Sequence, residues 1–205
     1  MIKGLYAIKF FAAVVVIFFT AIHCYAYTSP IGLEILSNER DKFNLAFPGP
    51  KEDVAGIRLS IGAQNKNVYG LDVGVAMNET KDRFVGIAIA GFANVYYGRA
   101  FIIGLELAGF SNAGSHVSGF GLQVAGFLNS AGSGDFVGGQ VAIFRNEYFG
   151  HIYGFQLGLF NDAKSIVGVQ IGIINKADNL HGVQIGLLNY NKSGIPCLPL
   201  INIGF

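Results

Sequence analysis

From Ala55 to Phe205 one five-residue pattern recurs: a small residue, an apolar one, a polar or small one, an apolar one and again a small one. Its central residues are Arg58, Asp72, Ala88, Glu106, Gln123, Gln140, Gln156, Gln170, Gln184 and Asn202, and the steps between them run from 14 (Arg58 to Asp72) to 18 (Ala88 to Glu106). Side chains on a strand alternate between its two faces, so each copy has one face of Gly, Ala and Gln and another of Leu, Ile and Val. A helical period would mix the two sets. The segments between copies, such as Asn65-Lys66-Asn67, Asn129-Ser130-Ala131-Gly132-Ser133-Gly134 and Asn175-Lys176-Ala177-Asp178-Asn179, are rich in turn formers and hold nearly all the charge. One strand plus one turn is therefore the repeating unit, and the chain is all-β.

If every connection is a hairpin, the midpoint of each turn fixes which residues face each other. Position 65 lies midway between Arg58 and Asp72, and 177 midway between Gln170 and Gln184. Up-and-down pairing then gathers the central residues into one belt. Arg58, Asp72 and Glu106 are the only charges inside the repeats. Arg58 opposite Asp72 reads as internal neutralisation, with a selectivity feature of a pore as the functional alternative. Glu106 has no cation directly opposite, so water or Arg58 across the interior has to serve it.

Composition narrows what such a sheet can be for. Charged residues are 13% of the chain, hydrophobic residues 52%, and there are 29 glycines, so the chain lacks the surface of an ordinary soluble protein. A net charge of +1 with no basic cluster gives no case for nucleic acid. Lys3 and Lys9, the apolar run Phe10 to Phe19 and the small-residue site Cys24-Tyr25-Ala26 read as a secretory signal over residues 1–26, with 27–205 as one β domain; an uncleaved anchor is the alternative. Cleavage leaves Cys197 as the one cysteine, without a disulfide framework or zinc spacing. His116, His151 and His181 stand apart, no nucleophile, base and orienting group recur together, and neither catalysis, metal nor cofactor is expected.

Two architectures bury the apolar face. The first is an antiparallel up-and-down transmembrane β-barrel of about 12 (10–12) strands in an outer membrane. It counts the ten motifs plus Ile31–Leu36 and Phe43–Phe47, with Leu105, Ile171 and their equivalents toward lipid and the belt lining a lumen. Aromatics at the strand ends, among them Tyr69, Phe110, Phe127, Phe144 and Tyr190, would form its girdles, and Phe205 at the C-terminus looks like the insertion signal of such barrels. Its partners would be the lipid bilayer and the outer-membrane assembly machinery. The second is a secreted β-solenoid with the apolar face inside and ladders of Gln outside. Uneven spacing and turns without fixed ladder residues speak against it.

Val167-Gly168-Val169-Gln170-Ile171-Gly172-Ile173-Ile174-Asn175 and Gly182-Val183-Gln184-Ile185-Gly186-Leu187-Leu188-Asn189 resemble the tandem Gly-Φ-Gln-Φ-Gly-Leu-Φ-Asn unit of bacterial surface repeat-containing proteins, first named from spirochaetes. The likeness covers about Phe43 to the C-terminus, although the units at Ile87 and Leu105 lack the Gln. It implies a surface or outer-membrane location and no defined activity. The expectation is a structural or narrow-pore surface protein, with an adhesin or curli-like fibre subunit as the alternative. No small-molecule ligand is readable.

Overall fold

Neighbouring motifs run in the same direction. In the computed structural model, which describes residues 28–36, 45–47, 49 and 51–205, the strands are β1 (Thr28–Leu36), β2 (Leu45–Phe47), β3 (Asp53–Ala90), β4 (Ala93–Ala108), β5 (Ser111–Ala125), β6 (Leu128–Ala131), β7 (Asp135–Ala142), β8 (Arg145–Leu157), β9 (Phe160–Ile171), β10 (Ile174–Asn191) and β11 (Cys197–Gly204). The pairs β3–β4, β4–β5, β8–β9 and β9–β10 are all parallel, and like sits on like: Glu106 on Gln123, Gln156 on Gln170, Gln170 on Gln184. The chain is a β-solenoid. The expected barrel is thus corrected to its alternative, and both segments upstream of the repeats contain a strand, β1 and β2. The expected leader, residues 1–26, lies outside the described residues.

One glycine per coil explains how the coils come so close. Gly56, Gly70, Gly86, Gly104, Gly121, Gly138, Gly154, Gly168 and Gly182 all have positive φ, from 120° at Gly70 to 158° at Gly121, most of them in a region essentially reserved for glycine. A Cβ on Gly168 would lie 1.8 Å from the carbonyl oxygen of Gly154, and the same contact recurs up the stack. No other residue fits there.

Each coil has two legs that face one another. In β9 the first leg is Phe160–Ala163 and the second runs from Ile166 to Ile171. Asn161 and Ala163 from one, and Ile166 and Gln170 from the other, are buried between them. Gln170 Nε2 donates to Lys176 O, on the first leg of the next coil, at 3.1 Å, and Asn161 Nδ2 to Ile171 O at 2.8 Å. The uneven repeat lengths are absorbed in two places. Register shifts lie between Thr80 and Arg83, Tyr96 and Arg99, and Tyr148 and His151, and the longer coils carry an extra residue at the Gly-Phe corner, as at Gly109-Phe110 against Ile173 alone before Ile174.

Both ends of the stack reverse direction. β2 is antiparallel to β1, and β11 is antiparallel to β10, with Asn202 on Gln184. Phe205, expected as a barrel insertion signal, projects fully exposed beyond this last strand, where there is no barrel to close.

Candidate functional site: an apolar wall over an amide core

The central residues come together, but in a closed interior and not around a lumen. Arg58, Asp72, Glu106, Gln123, Gln140, Gln156, Gln170, Gln184 and Asn202 are all buried. Each amide donates to the coil before it: Gln184 to Gln170 at 2.7 Å, Gln170 to Gln156 at 2.7 Å, Gln156 to Gln140 at 2.9 Å and Gln140 to Gln123 at 2.8 Å. Gln123 donates in turn to Glu106 Oε2 at 2.5 Å. A carboxylate only accepts, so Glu106 is a chemically apt terminus for a one-way row of donors. Asn202 stays outside the row, donating instead to Asn189 O and Ile195 O.

A second ladder runs through the segments expected as turns. Asn78, Asn94, Asn112, Asn129, Asn146, Asn161, Asn175 and Asn189 are buried, and each of the first seven donates to the Asn of the following coil at 2.8–3.0 Å, while Asn189 ends the row by donating to Gly186 O and Leu198 O. Its donors point toward the C-terminus, opposite to those of the Gln row. These residues read as turn formers, although an Asn five or six positions after each central residue from Asp72 to Gln184 was visible in the sequence.

The charges close among themselves at the N-terminal end. Arg58 Nε and Nη2 donate to the two carboxylate oxygens of Asp72 at 2.7 and 2.5 Å, and Nη1 donates to Asn65 Oδ1 at 2.7 Å. Gly32, in register below Arg58, leaves room for its stem: a Cβ there would lie 3.2 Å from Arg58 Cγ. Burial pushes the Asp72 carboxyl up, against the guanidinium that pulls it down. Burial likewise pushes Glu106 up to about 7, against the hydrogen bonds from Tyr96 and Gln123 that favour its ionised form. This buried set bonds coil to coil, and no cluster of potential metal ligands occurs among the described residues.

What the fold offers to a partner is its outer wall. Apolar residues flanking the buried central positions point outward, and many of them, such as Ile57 and Leu59 beside Arg58, Ile89 beside Ala88, Phe155 beside Gln156, Ile171 beside Gln170 and Ile185 beside Gln184, are exposed. The solenoid alternative placed them inside and Gln outside; the arrangement is reversed, because only the amides can bond from coil to coil. On the facing wall Arg145 meets Glu147 at 2.8 Å and Asp162 at 3.5 Å, and Lys176 meets Asp162 at 3.3 Å. One wall is therefore charged and the other apolar. Of the aromatics expected as membrane girdles, Phe110, Phe127 and Phe144 instead stack with Phe92 along one corner of the apolar wall, at centroid distances of 4.7–4.9 Å and within 8° of parallel, the spacing of the coils themselves, while Phe84, Tyr96, Phe136 and Tyr148 lie in the core. Beside them runs a groove of about 400 Å³, walled by Ile89, Leu107, Val124 and Val141 and closed at one end by Ile143.

In comparisons with known proteins, no family model, curated protein or solved structure matches this chain.

Proposed function

We propose that this protein is an exported, non-catalytic β-solenoid of the cell surface that works by binding through its apolar wall, as an adhesin-like or assembly subunit. The observation that carries the reading is the one-sided distribution of apolar residues on a scaffold whose polar groups are spent on holding the coils together. A continuous exposed apolar surface of this extent is unusual for a solitary soluble chain and marks an interaction site. The resemblance of residues 167–189 to surface repeat units supports the same location, as does the leader-like segment at 1–26.

Cys197 is free and exposed, which gives a direct test. A membrane-impermeant maleimide applied to intact cells should label it, and a Cys197→Ser variant should remain unlabelled. Labelling that appears only after lysis would contradict surface display.

A further inference from the structure

We infer that the partner of the apolar wall is a second copy of this chain, laid face to face and antiparallel about a twofold axis that runs along the strand direction. The inference rests on the binding role proposed for that wall and names its occupant. Three observations carry it. The first is size: nine rungs about 4.8 Å apart and four outward rows about 7 Å apart span roughly 38 by 21 Å, a wall of roughly 800 Å², which matches the 800 Å² or so per partner of a standard stable interface.

The second is shape. At the corner of the wall one outward row reads, coil by coil, Val75, Gly91, Gly109, Gly126, Ile143, Leu159, Ile173, Leu187. The glycines are imposed by the fold, since a Cβ at any of them would lie 2.0–2.1 Å from a carbonyl oxygen of the coil below, and they leave the groove. Ile143, Leu159, Ile173 and Leu187 form a ridge, on which Ile143 is 72% exposed, and Val75, equally exposed, bounds the glycines at their other end. A twofold along the strands keeps each row on itself and reverses the order of the coils. It sets Gly126 against the partner copy's Ile143, Gly109 against Leu159 and Gly91 against Ile173, with Val75 against Leu187 at the rim. The groove of each copy receives the ridge of the other, as an isologous contact requires, and the side-chain columns share one spacing and interdigitate dry.

The third is that the ends of the stack discourage growth there. Both terminal strands run antiparallel to the coils, and β11 carries Pro199, which removes a donor from that edge. Association through the wall is the route left open.

The test uses the mature full chain with Cys197→Ser. In detergent-free buffer at micromolar concentration, light scattering after size exclusion should give twice the chain mass. Ile143→Lys should return a monomer with an unchanged circular dichroism spectrum, weakening association roughly tenfold or more. Val73 and Ile185 lie at opposite ends of one row, too far apart to be linked within a copy, but the twofold brings one against the other across the interface. Val73→Cys mixed with Ile185→Cys should therefore cross-link as a heterodimer, while neither variant alone does. A wild-type monomer at about 100 μM overturns the inference, as does cross-linking of Val73→Cys with itself. A monomer that binds phosphatidylcholine vesicles, and loses them on Ile143→Lys, also overturns it but preserves the proposed binding wall. A monomer that binds neither overturns both, and the Cys197 labelling separately decides display.

Discussion

Glu106 accepts the first bond of the Gln row, and its protonation is the main pH-sensitive feature of the interior. Its carboxyl is raised from an ordinary 4.5 to about 7 by burial, so the folded chain holds a proton that the unfolded chain has released over that range. Its stabilising contribution is complete below about pH 4.5, declines as the pH rises toward 7, and is lost above it. Glu106→Gln should flatten this decline and be the more stable protein at pH 8, by on the order of 3 kcal/mol. Urea unfolding of both proteins at pH 4.5 and pH 8 measures the difference; equal slopes would show that Glu106 is not the titrating group. The Arg58–Asp72 pair behaves differently, because each charge is compensated. Asp72→Ala strands a buried guanidinium and should cost about 3–5 kcal/mol, whereas the double variant Arg58→Met with Asp72→Leu should cost less than that single change. A double variant as unstable as the single one would mean that packing, and not charge, sets the loss.

At the scale of the coil, the period of the strands was legible and their pairing was not. Period-2 alternation puts Gln on one face whether the next strand returns as a hairpin or arrives in parallel, and centred hairpins place like opposite like just as in-register stacking does. The midpoint argument therefore brought Arg58 to Asp72 correctly but for the wrong topology. The discriminating residues lay elsewhere. Asn161 and Asn175 recur at a fixed place because each bonds the next, which a hairpin turn does not need, and Gly168 recurs because a neighbouring carbonyl passes where its Cβ would be. Asn161→Ala should consequently cost about 1–3 kcal/mol in urea unfolding, while Asn179→Ala on the exposed corner should fall within about 0.5 kcal/mol. Similar losses at both sites would deny that the Asn row holds the coils.

On the whole-molecule scale the chain inverts the usual solenoid expectation, with amides inside and aliphatics out. Low charge and an apolar face per repeat were legible, but not what faces that side, because sequence alone does not tell a lipid from a protein against those residues. What does separate barrel from solenoid is where a polar change hurts. In a barrel Gln170 would face a tolerant lumen and Leu187 would face lipid; here Gln170 is buried and bonded to Gln156, Gln184 and Lys176 O, and Leu187 is 62% exposed. The decisive measurement is the unfolding free energy of Gln170→Ala and Leu187→Lys in detergent-free buffer at submicromolar concentration, where copies are separate. The solenoid predicts a loss of about 1–3 kcal/mol for Gln170→Ala and a change within about 0.5 kcal/mol for Leu187→Lys. The opposite order, with Gln170→Ala silent and Leu187→Lys unable to fold, would contradict it.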